Sequence, residues 1–129
     1  MKREKIDSFS ATLNFGLKRA YSEDIINKEE VISYLKKLQK NLIEKEGISL
    51  SCAVSETEIV CNEWREEHLQ LHFLNYPKFK GEHKIIKSHF EELIEKLMRE
   101  FEQNRVIIEY KDEMIELYKS KKIDKGIFR

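Results

Sequence analysis

The chain of 129 residues predicts an α+β fold, a two-layer sandwich with two helices on one face of a largely antiparallel sheet. Three observations carry that reading. Apolar and polar residues alternate strictly from Ser8 to Leu17, two long stretches repeat apolar residues at helical spacing, and Ile48–Tyr76 between them is patterned as strand. The expected element order is β-α-β-β-β-α-β-β, within one domain at residues 1–118 followed by a mobile basic tail at 119–129.

In the first strand Phe9, Ala11, Leu13, Phe15 and Leu17 fall on one side and Ser10, Thr12, Asn14 and Gly16 on the other, so one face is buried and one is polar. The first helix starts at Asn27, whose side chain can take up a free amide of the first turn, with Glu30 completing a capping-box pattern. Val31, Leu35, Leu38 and Leu42 form its apolar stripe, Lys36, Lys37 and Lys40 lie mostly opposite as a solvated face, and Gly47 supplies the left-handed residue that ends it.

The central stretch reads as a hairpin turning at Ser55–Glu58. That turn puts Ile48, Leu50, Cys52, Val54, Ile59 and Cys61 on one inner face, with Cys52 opposite Cys61. A loop at Glu63–Glu67 precedes a third strand, His68–Leu74, with Leu69, Leu71 and Phe73 inward and His68, Gln70 and His72 outward. Pro77 closes it, because proline cannot donate to a ladder. Ile86, Phe90, Leu93, Leu97 and Phe101 mark a second helix from about Glu82 to Gln103, with Asn104 as its cap. Arg105–Tyr110 and Met114–Tyr118 are the last two strands, joined through Lys111–Glu113. The order is similar to an elaborated ferredoxin-like split β-α-β plan, a topological analogy that brings no functional residues with it.

Lys plus Arg equals Asp plus Glu at 24 each, so no net field draws the whole molecule to nucleic acid or an acidic membrane. No apolar run is long enough to span a bilayer, and the N-terminal MKREKIDSFS has no apolar stretch after its basic residues; the expected location is cytoplasmic. Two cysteines in such a chain read as reduced, buried thiols, since neither has a cationic neighbour in sequence to activate it.

Chemistry is thinly signalled. No Gly-rich phosphate loop, nucleophile elbow, His-Glu-x-x-His or paired-Asp metal motif is present, and no cofactor is expected. His68 and His72, four apart on a strand, sit about 13 Å from each other at the usual rise, too far to share one metal ion. The outward sheet face is the informative feature: Ser49, Ser51, Asn62, His68, Gln70 and His72, with Thr12 and Asn14 from the first strand, are short and uncharged. Such a surface suits close contact with a second subunit or a small ligand better than one rich in Lys and Glu. Trp64, Tyr76 and Phe79, interleaved with basic residues on the flanking loops, form a second patch. Acidic neighbours cancel its field, which favours a protein partner over nucleic acid. The resulting expectation is a binding or interaction protein, homo-oligomeric through the polar face. The alternative is a small acid–base enzyme using His68 or His72 there.

Overall fold

The computed structural model describes residues 1–5, 9–19, 22–74 and 83–120. It contains β1 (Ser10–Gly16), α1 (Lys28–Glu46), β2 (Ser51–Cys61), β3 (Trp64–Leu74), α2 (His83–Glu100), β4 (Arg105–Tyr110) and β5 (Met114–Tyr118). The strands form one sheet in the order β2-β3-β1-β4-β5, every neighbouring pair antiparallel. The α+β class and the helix-on-sheet layering are as expected. β3 lies between β1 and β2, as in the split β-α-β plan, and β5 is added at the β4 edge.

Alternation sorts the sheet into two faces. Ala11, Leu13 and Phe15 of β1, Leu69, Leu71 and Phe73 of β3, and Val106 and Ile108 of β4 are all buried in one core with Val31, Leu35 and Leu38 of α1 and Ile86, Phe90, Ile94 and Leu97 of α2. Phe90 is its centre, edge-on to Phe73 at 5.0 Å and to Phe9 at 5.6 Å. The α1 signals act as read. Asn27 Oδ1 accepts from Glu29 N, one residue earlier than the capping box implied, and Gly47 ends the helix at φ 67°.

The expected turn at Ser55–Glu58 does not exist. β2 runs unbroken and pairs with β3 along its whole length, from Ser51↔Leu74 to Cys61↔Trp64. The chain reverses at Asn62–Glu63, where Asn62 adopts φ 57°, a conformation asparagine tolerates better than most residues. Glu63–Glu67 is therefore strand from Trp64 onward rather than loop, and the sheet has five strands rather than six. The reason lies in the layering. Beyond Val54 the strand outruns the helices, so the helix-side positions Glu56, Glu58 and Val60 are exposed, while Ile59 and Cys61 belong to the opposite face. Cys52 faces Phe73 and Cys61 faces Trp64, so the two thiols sit at opposite ends of one strand.

The second helix also ends earlier than its stripe suggested. Glu102 takes the left-handed conformation at φ 49° and Gln103 N donates to Met98 O. Asn104, expected as the cap, instead pairs its side-chain amide with the backbone of Ser120, which ties down the first residues of the anticipated tail. Residues 121–129 lie outside the described residues. No helix among the described residues is long and apolar enough to cross a membrane.

Candidate functional site

The polar face survives the loss of the predicted hairpin because β1 and β3 define it by their own alternation. Thr12 stands opposite His72, Asn14 opposite Gln70 and Gly16 opposite His68. On the far side of β3 the partners are the small residues Ala53, Ser55 and Thr57 of β2. Ser51 joins this face at the end of β2. Ser49 precedes that strand and Asn62 sits in the turn, so neither lies in the strand ladder. Trp64 opens β3 on the same face, opposite Cys61, whereas Tyr76 and Phe79 lie outside the described residues.

The two histidines differ in kind. His72 is held by hydroxyls on both ring nitrogens, Thr12 Oγ1 at 2.9 Å from Nδ1 and Ser10 Oγ at 3.3 Å from Nε2. His68 has neither nitrogen hydrogen-bonded, and both are shielded from solvent; Asn14 Oδ1, two residues from Gly16 on the same face, is likewise shielded and unpaired. Glu66 Oε1 stands 3.6 Å from His68 Nε2, and both side chains are largely buried, His68 at 15% and Glu66 at 16% exposed. Leaving a buried polar atom unsatisfied costs about 1–3 kcal/mol, so such a cluster calls for a functional explanation.

Gly16 shows what the cluster surrounds. A Cβ there would stand 2.8 Å from Gln103 Oε1, 3.2 Å from Glu66 Oε1 and 3.7 Å from His68 Cε1. Gln103 reaches in from the α2–β4 connection. Its Nε2 donates to Lys18 O at 2.7 Å and to Phe101 O at 3.2 Å, which turns Oε1 toward Gly16. Gly16 is buried, and a carboxylate oxygen and an amide oxygen pack against it where a side chain would stand, beside an unpaired imidazole. Sequence reasoning singled out none of Gly16, Glu66 or Gln103. A glycine inside a well-alternating strand was the available signal, since it marks close approach by another group.

Toward β4 and β5 the same face mixes exposed apolar groups with Arg105, Glu109 and Glu116, of which Arg105 and Glu116 pair at 3.0 Å. Ile107, Met114 and Tyr118 are 47%, 63% and 50% exposed and share the polar side of the sheet. Among the described residues no group of three or more His, Cys, Asp or Glu is gathered for a metal ion.

No family model and no curated protein matches the chain. Two solved structures do. A phage SAM lyase in the apo state superposes with a TM-score of 0.64, and a phage SAM lyase in complex with S-methyl-5′-thioadenosine with 0.61. Each is 15% identical in sequence, and the match covers 95% of this chain and 98% of the other. The likeness establishes the fold. It spans both layers from end to end, and at this identity the residues that do chemistry must be argued from this chain alone.

Proposed function

We propose that this chain is a small enzyme that cleaves S-adenosylmethionine and releases S-methyl-5′-thioadenosine, with the polar sheet face as its working surface. The observation that carries the reading is the near-complete, two-way match in fold to a SAM lyase, one form of which holds that thioether. The polar face of β1 and β3 supports it with chemistry of the right kind.

Removing S-methyl-5′-thioadenosine from S-adenosylmethionine breaks the bond between the sulfonium sulfur and the aminobutyrate chain. The bonding pair leaves on sulfur, which becomes neutral. A lyase adds no water, so the open valence on carbon closes within the substrate, by its own carboxylate or by loss of a neighbouring proton. Positive charge on sulfur therefore disappears on the way to the transition state, and a site that solvates it strongly would hold the ground state back. The pairs Thr12–His72 and Asn14–Gln70 present hydroxyl, amide and imidazole groups there, with the Glu66 carboxylate at the Gly16 end and Glu109 beside Thr12 on β4. If proton loss is the route, His68 is the imidazole with free nitrogens, while both of His72 are engaged.

The apolar flank formed by Ile107, Met114 and Tyr118 supports a second feature of the reading, a homo-oligomer in which another copy covers this face and excludes water from it. Incubating the purified protein with S-adenosylmethionine and following S-methyl-5′-thioadenosine by chromatography tests the activity. Stoichiometric release supports the reading; intact substrate together with no thermal shift on adding the thioether overturns it. Thioether binding without turnover supports instead a binding protein on the same face. Light scattering at micromolar concentration tests the oligomer, which a strict monomer excludes.

A further inference from the structure

Independently of that reading, we propose that Ser10, His72 and Thr12 form a second catalytic site, which hydrolyses small uncharged carboxylic esters through a covalent intermediate on Ser10. A serine hydroxyl becomes nucleophilic when an imidazole within hydrogen-bond reach can take its proton and a third group fixes the orientation of that imidazole. The fold supplies both contacts. His72 on β3 stands opposite Thr12 on β1, and Ser10 lies two residues earlier on the same face of that strand. Ser10 Oγ is 3.3 Å from Nε2 and Thr12 Oγ1 is 2.9 Å from Nδ1, so one ring is held between a nucleophile and an orienting hydroxyl. With the ring proton on Nδ1 and donated to Thr12, the Nε2 lone pair faces Ser10. All three residues are only partly buried, so the hydroxyl is not sealed in the core.

The space beside the three residues separates this arrangement from a pair of ordinary hydrogen bonds. Ser10 and Thr12 line an open cavity of about 710 Å³, within the roughly 300–1,000 Å³ of small-molecule sites. Phe9, His83 and Tyr110 bring rings to its wall, where among the described residues three lysines are balanced by three carboxylates. That balance favours an uncharged ester, its apolar part against the rings. In the first step Ser10 Oγ bonds to the carbonyl carbon as its proton passes to His72 Nε2, and the carbonyl π pair moves onto oxygen. That pair then returns, the bond to the alcohol oxygen breaks, and the alcohol leaves with the proton from Nε2. Water attacks the acyl-serine in the same way: its proton passes to Nε2 and on to Ser10 Oγ, and the carboxylic acid departs. Ser10 and His72 do the chemistry, and Thr12 is a positioning residue that keeps the ring in the tautomer both steps use. A neutral hydroxyl stabilises the imidazolium less than a buried carboxylate would, so turnover is expected to be slow.

The full chain is tested without S-adenosylmethionine, so that this proposal and the lyase reading fail separately. The substrate is p-nitrophenyl acetate, and the trap is an alkyl fluorophosphonate, whose phosphorus takes the serine oxygen as fluoride leaves. The trap is expected on Ser10, located by peptide mass spectrometry. Ser10→Ala is expected to lower kcat/KM for the ester about a hundredfold, the size of a general-base contribution, and His72→Gln to match it. Thr12→Val should lower kcat with KM held, and Thr12→Ser, which restores the hydroxyl, should recover it; this pair keeps the proposal falsifiable if Ser10→Ala does not fold. Ester turnover that survives Ser10→Ala or His72→Gln, or a trap found on another residue, overturns the site. Thr12→Val protein with unchanged kcat overturns the positioning role of Thr12. Wild-type protein that neither turns over the ester nor takes up the trap overturns the proposal outright, whatever it does with S-adenosylmethionine.

Discussion

Replacing Gly16 by alanine separates packing from function at the site. The added Cβ would stand 2.8 Å from Gln103 Oε1, against an ordinary contact of at least 3.4 Å, so that oxygen must retreat by about 0.6 Å; Glu66 Oε1, at 3.2 Å, must give by a few tenths. Glu66 can yield as the far end of a flexible side chain, but Gln103 is held through Nε2 by Lys18 O and Phe101 O, so the strain falls within the roughly 1–3 kcal/mol that overpacking costs. Opposing it, alanine in a strand recovers about 0.5–1 kcal/mol relative to glycine, and Gly16 has no left-handed φ to forfeit. The net loss of stability is therefore below about 3 kcal/mol, several degrees in Tm for a domain of this size. Activity answers to a different scale, since a misplacement near 1 Å at a reacting or binding group can cost about a hundredfold. Thermal unfolding paired with the proposed turnover of S-adenosylmethionine per folded molecule reads both. A variant that loses several kcal/mol of stability while keeping its specific activity would show that Gly16 serves packing alone.

Further outcomes are expected elsewhere in the fold. Phe90, fully buried and edge-on to Phe9, Phe73 and Tyr110, anchors the core, and Phe90→Ala is expected to cost about 3–5 kcal/mol, readable as a large drop in the urea midpoint. Burial pushes the Cys52 thiol up to about 12 from its ordinary 9.0, and burial with the Glu91 carboxylate raises the Tyr110 hydroxyl as well. Both groups hold their protons more tightly folded than unfolded. Their contribution is thus full below pH 9 and falls as pH climbs toward 12; Tm measured from pH 7 to 11 should decline at the alkaline end, less steeply in Cys52→Val. The same shift keeps Cys52 unreactive to thiol reagents at pH 8 in the folded protein, testable in a Cys61→Ala background. Asn62→Gly should leave the β2–β3 hairpin unharmed, whereas Asn62→Val forces a β-branched residue to φ 57° and should lower Tm by several degrees.

Strand β1 and helix α1 were legible nearly residue by residue, because each carries one unbroken period and its stop signals, Asn27 and Gly47, do what isolated helix ends require. β2 was not, and the failure is instructive. The phase change between Val54 and Ile59 looks the same whether the chain turns or the covering layer ends. In one sequence nothing distinguishes a hairpin at Ser55–Glu58 from a strand that outlives its helices. His68, Gln70 and His72 were placed correctly on the open face because Leu69, Leu71 and Phe73 fix the phase of β3 without reference to β2. Glu66 was lost to the loop that the false turn implied, and Gln103 was hidden by its distance in sequence. It reaches Gly16 only because β4 returns beside β1.

Under the proposed function, the carboxylate that the fold shields most on this face is Glu66, with Glu109 and Glu116 more exposed. A charge pair 4 Å apart is worth about 1 kcal/mol in bulk water and about four times as much at the effective dielectric near a protein surface. Glu66 is already 16% exposed in the single chain, walled by His68 and Gln103. Ile107, Met114 and Tyr118, exposed apolar groups on this face, lie toward β5 rather than over the β1–β3 centre. In the proposed oligomer a neighbour seated on that flank would be held by apolar contact to one side while its bulk keeps water from the polar centre. The contacts that hold the assembly and those that hold the substrate would then be separate, and Ile107→Asp should lower the mass seen by light scattering and weaken substrate binding without touching the β1–β3 centre.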